Sequence, residues 1–183
     1  MLIHKLNLLA MTRTIVLLAI CYLIPVTVSA QSADVLGWEQ TRWGMSAEEL
    51  ATAVGPDLVV RQLGNGRTEY SLADYRLGGQ TFDVRFVRDF AGRLIEVRVG
   101  SGFTNINRME DAKTLEASLV NAHGRFTHVI ANRTVDDGNT RLVIRKLKWL
   151  LPTTTIVFHH GMTVVPEGTH DTLTVRYSST RGL

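Results

Sequence analysis

The chain holds a single cysteine, Cys21, among 183 residues. It lies in an apolar N-terminal run that reads as a removable leader, so the mature chain is expected to carry no thiol. That excludes a disulfide, a Cys-ligated metal and a cysteine nucleophile. A one-sided charge is also missing. The densest basic cluster is Arg145-Lys146-Leu147-Lys148, and losing Lys5 and Arg13 with the leader takes the formal net charge from +3 to +1. This balance offers no electrostatic footprint for nucleic acid. The familiar catalytic signatures are absent too: there is no Gly-x-Ser-x-Gly elbow, no phosphate loop and no His-Glu-x-x-His. Gly64-Asn65-Gly66 is a turn signal with no helix pattern after it. Only four prolines occur, and no Pro-rich linker, low-complexity tract or charge block divides the chain.

What the chain does have begins with its leader. Arg13 precedes an apolar run from Ile15 to Ile24, interrupted only by Tyr22; Pro25 follows, then Val28-Ser29-Ala30. A positive end, a short apolar stretch and a small-residue exit describe a secretory signal peptide. The run is about half of the roughly 20 apolar residues that span a bilayer, which disfavours a membrane anchor. Cleavage after Ala30 removes residues 1–30 and leaves Gln31 first. Met11 is an alternative start. Ile20 before Cys21 is not the small residue that precedes a lipid-modified cysteine. The expected location is secreted or periplasmic, with no stable membrane anchor after cleavage.

The mature chain alternates short helical and strand patterns. Gln31 to Gly37 reads as a loose leader. Ser46-Ala47-Glu48-Glu49 matches a capping box, and Gly55-Pro56 stops the short helix it opens. Strands are expected over 58–63, 68–77, 81–88 and 93–99; Phe82, Val84 and Phe86 alternate with Asp83 and Arg85. Gly100 to Asn105 reads as a loop. Asn105 or Asn107 can cap a second helix running to about Ala122, which Gly124 closes. Strands follow over 126–131, 141–151, 153–160 and 172–177, with Asp136-Asp137-Gly138-Asn139 as a hairpin signal.

The order suggests two copies of one pattern, a helix and then four strands, over 31–104 and 105–183, packed as one compact domain. The expected fold class is α+β, with tandem helix-plus-antiparallel-sheet units and the helices on one face of the sheet or sheets. Trp43-Gly44-Met45-Ser46-Ala47-Glu48-Glu49-Leu50 followed by Gly55-Pro56 resembles the opening of small secreted bacterial domains. These are the SmpA/BamE-like assembly lipoproteins and the tandem β-lactamase inhibitor proteins. The resemblance implies a non-enzymatic protein-binding scaffold. The chain departs from it in lacking the lipid-modified cysteine of the first group and the disulfides of the second.

Three readings of function follow. The first is a binding module that contacts another protein or an envelope component and needs no cofactor. Arg42 and Trp43 are its candidate contacts, since Trp and Arg are enriched at interface hot spots. The bland alternative for Trp38 and Trp43 is that they cover the first helix and plug the sheet edge. The second is a metal-dependent protein or enzyme using His159, His160, His170 and Asp171. Adjacent histidines on a strand point to opposite faces, which argues against a shared metal. The third is a carrier holding a small apolar molecule between sheet and helices, which requires a cavity of a few hundred cubic ångströms.

Overall fold

A computed structural model describes residues 34–77, 80–104 and 107–180. The signal segment and its cleavage point lie outside these residues. Two helices and eight strands follow one another: α1 (Ala47–Val54), β1 (Val59–Gln62), β2 (Thr68–Leu77), β3 (Gln80–Arg88), β4 (Leu94–Thr104), α2 (Met109–His123), β5 (His128–Asp136), β6 (Arg141–Leu150), β7 (Thr154–Val165) and β8 (Gly168–Ser179). Among the described residues, no helix is long and apolar enough to cross a membrane.

All eight strands join one antiparallel sheet in the order β1-β2-β3-β4-β8-β7-β6-β5. This overturns the expected α+β fold of tandem helix-plus-sheet units. The molecule is mainly β, and there is no separate sheet for each half. The reason is the seam between β4 and β8, where Val97 lies opposite Tyr177 and Val99 opposite Val175. All four side chains are buried. Alternation gives both strands the same apolar face, and pairing them makes that face continuous. The core is a sheet core, built on Val84, Phe86, Val97, Phe158, Ile156, Leu147 and Trp149. The helices add only Leu50 from α1 and Ala112, Leu115 and Leu119 from α2 as buried side chains.

Local chemistry fixes the helix ends. The Ser46 amide donates to Glu49 Oε2 (2.7 Å), and the Glu49 amide donates to Ser46 Oγ (3.3 Å). An eight-residue helix does not persist alone. Burying Leu50 completely contributes about 2 kcal/mol and holds it in place. At the far helix, Met109 N–H donates to Asn107 Oδ1 (3.0 Å). The Trp149 indole donates to the Gly124 carbonyl (2.8 Å), giving the C-terminus of α2 a partner from β6. Arg145 of β6 grips Glu116 of α2 through Nε and Nη2, the bidentate arrangement that suits guanidinium and carboxylate.

Several boundaries differ from those read in the sequence. Gly100 sits inside β4 rather than in a loop. A Cβ there would meet Thr174 Cγ2 at 2.7 Å and the Leu173 carbonyl at 2.9 Å, so glycine permits the close approach of β8. The register shifts beyond it, between Gly100 and Phe103, as a bulge does. Gly161 likewise lies within β7, which runs on to Val165 and turns through Pro166-Glu167 into β8. The connection expected after His160 is therefore a hairpin. Nor are residues 34–37, the described part of the segment read as a loose leader, without anchorage. Asp34 Oδ1 accepts from the Thr153 amide (3.0 Å) and hydroxyl (2.9 Å), and Thr154 Oγ1 donates to the Val35 carbonyl.

Candidate functional site

The anchored N-terminal segment forms one wall of a cavity. Thr41 Oγ1 accepts from the Trp38 amide (3.1 Å) and donates to the Trp38 carbonyl (2.6 Å), closing a tight turn. That turn sets the Trp38 ring edge-on to Tyr75, with centroids 5.0 Å apart, and 5.8 Å from Phe86. The opposite wall is α2, through Asp111, Thr114, Leu115, Ser118, Leu119, Ala122 and His123; Leu77, Gln80, Phe82 and Tyr177 complete the lining from the sheet. Thr114, Ser118 and Ala122 recur every fourth residue, so small side chains stack along one helix face. Where larger ones would close on Trp38, they leave space. The cavity measures about 390 Å³, is open at one side and is largely apolar. That volume suits a small organic molecule.

Two carboxylates, Glu39 and Asp111, line the cavity, and among the described residues no lysine or arginine lines it. Burial pushes the His123 ring below its ordinary pKa, so it is neutral at neutral pH. Its Nδ1 has no hydrogen-bond partner, and its ring meets Tyr177 edge-on at 6.3 Å. Burial also raises the Tyr177 hydroxyl, with Glu39 adding to the effect. Tyr75 is raised the same way, first by burial, then by the Glu39 charge and by a hydrogen bond to the Glu39 carboxylate. Both phenols stay protonated, and the field of Glu39 reaches both. Glu39 has φ +52°, in the left-handed region. Arg108 lies over the Phe82 ring at 5.9 Å but does not line the cavity.

The residues singled out in the sequence fall elsewhere. Arg42 is exposed. Trp43 is half-buried against the core, and its indole N–H donates to Thr154 Oγ1 (2.7 Å). Of the histidine group, only His160 and Asp171 come together. They are diagonal neighbours across the β7–β8 hairpin, with His160 Nε2 3.1 Å from Asp171 Oδ2. His160 is 2% exposed and Asp171 0%. His159 takes the opposite face of β7, and His170 is exposed. Among the described residues no three His, Asp or Glu side chains gather as a metal set.

Sequence reading offers such a cavity as one of three alternatives but not its lining, because the lining comes from four separated segments. The available signals were Trp38 beside a helix with small residues at every fourth position, and a glutamate next to that tryptophan. No protein family, curated protein or solved structure matches the chain.

Proposed function

We propose that this is an exported, non-enzymatic binding protein whose ligand is a small, largely apolar molecule held between α2 and the Trp38 turn. The observation that supports this reading is the cavity of about 390 Å³. A half-open, largely apolar concavity of this volume falls in the size range of small-molecule sites. Here Leu115, Leu119 and Phe82, all buried, give a ligand an apolar surface, while Gln80, Thr114 and Ser118 supply polar groups that can orient it. The grouping of His160 with Asp171 alone gives the metal-dependent reading no comparable support. Export belongs to the proposal through the N-terminal signal pattern, and an intact mass of the exported protein beginning at Gln31 checks it.

The cavity reading is tested by titrating the mature protein with N-phenyl-1-naphthylamine, a neutral apolar fluorophore that brightens in an apolar site. Saturable 1:1 binding is expected. Ser118 is exposed at the cavity wall, so Ser118→Trp fills the opening without disturbing the core. That variant is expected to lose binding while its circular dichroism stays unchanged. Non-saturable uptake, or equal binding by the folded variant, would overturn the reading.

A further inference from the structure

We infer that the ligand of this cavity is an amphipathic organic cation: an apolar body with an ammonium group seated at Glu39 beside the Trp38, Tyr75 and Tyr177 rings. The inference rests on the ligand-carrier reading above and adds the sign of the ligand's charge.

Charge complementarity carries it. Glu39 and Asp111 are the lining groups that bear charge at neutral pH, and both are anionic. Neither carboxylate forms an ion pair with an arginine or lysine among the described residues. A ligand carboxylate would enter a site with two like charges and no compensating cation. A neutral ligand gains nothing from either. An ammonium group gains from both, by the modest amount of a solvent-accessible charge pair, since Glu39 is exposed and Asp111 half-buried.

Aromatic placement points the same way. Trp38 lines the cavity, with Tyr75 packed edge-on against it, and Tyr177 lines the cavity from β8. The Glu39 charge adds to the rise that burial gives both phenols. Electron-rich ring faces attract cations, tryptophan most strongly. His123 adds no opposing charge because burial keeps it neutral. Arg108, over the Phe82 ring at 5.9 Å, has Nε and Nη1 buried without a hydrogen-bond partner; it does not line the cavity, and the ammonium group is placed at Glu39, among the residues of the opposite wall.

A matched series separates the two claims. Octyltrimethylammonium, octanol and octanoate share one chain length and differ in charge; each is titrated below its micelle concentration by calorimetry and by tryptophan fluorescence. The cation is expected to bind about five- to tenfold more tightly than the alcohol, the scale of one partly desolvated cation–aromatic contact. Octanoate is expected to bind most weakly. In Glu39→Gln/Asp111→Asn the cation's advantage is expected to fall by about twofold or more, to what the rings alone supply, while octanol affinity is unchanged. Equal binding of all three, tighter binding of octanoate, or a cation advantage undiminished in the double variant overturns the cationic ligand and leaves the cavity reading standing. If none of the three binds and the naphthylamine probe also fails, both fall.

Discussion

Asp171 is the residue on which the largest local cost is concentrated. Its Oδ2 accepts from the Arg108 amide (3.1 Å) and faces His160 Nε2 (3.1 Å), while Oδ1 has no partner. A fully buried carboxylate costs several kcal/mol to desolvate, and two contacts on one oxygen offset only part of that. Removing it costs more, because His160 and the amide of Arg108, the N-cap residue of α2, then lose their acceptor together. Asp171→Ala is expected to destabilise the fold by about 3 kcal/mol in urea denaturation. His160→Leu/Asp171→Leu should recover part of that loss, since it removes the side-chain pair but leaves the Arg108 amide without its acceptor. A single variant within 1 kcal/mol of wild type (about the mean for any substitution) would show that the pair is not an energetic anchor. The contact was only partly legible in the sequence. His160 and Asp171 stand out as chemistry-bearing types, but Gly161 reads as a strand stop. Only the continuation of β7 to Val165 brings the two strands into diagonal register.

At the scale of elements, alternation within a strand was legible and pairing between strands was not. The polar face of β3, β4 and β8 shows what local reading omits. Arg85 lies opposite Arg98, and Arg98 opposite Arg176, so three exposed arginines stand in one row across the sheet. Arg98 has Glu96 as a partner. Like charges directly opposite on neighbouring strands are unfavourable by a few tenths of a kcal/mol to about 1 kcal/mol. Nothing in 81–88, 93–99 or 172–177 taken singly announces this, because the row exists only once β4 and β8 pair. Arg176→Gln keeps most of the stem beside Val157, its cross-strand neighbour, and removes the charge. It is expected to stabilise the protein by about 0.5 kcal/mol at low salt. The gain should shrink at about 1 M salt, where the screening length is about 3 Å. A loss of stability, or a gain indifferent to salt, would show that the row carries no repulsion.

For the whole molecule, the order β4-β8 at the centre of the sheet decides cooperativity. The sequence pattern of a helix and four strands, twice over, suggests parts that hold together separately. The seam argues otherwise. Each half presents a long strand whose inward residues, Val97 and Val99 on β4 and Val175 and Tyr177 on β8, are covered on one side by the other half. Separation would expose these side chains and leave two central strand edges unpaired, each a template for aggregation. Residues 32–183 form one compact unit, and the core cluster runs through both groups of strands without a break. Unfolding is therefore expected to be a single two-state transition. The tryptophans supply the test, because Trp38 packs against Tyr75 and Phe86 in the first group of strands while Trp149 lies in the second. In urea, Trp38→Phe/Trp43→Phe should report β6 through Trp149, and Trp43→Phe/Trp149→Phe should report the cavity wall through Trp38. Each variant's fluorescence midpoint should coincide with its own midpoint by far-ultraviolet circular dichroism. If Trp38 lost its native environment at lower urea than the sheet, the cavity wall would be a separate, weaker unit. The ligand would then act by ordering that wall rather than by filling a site already formed.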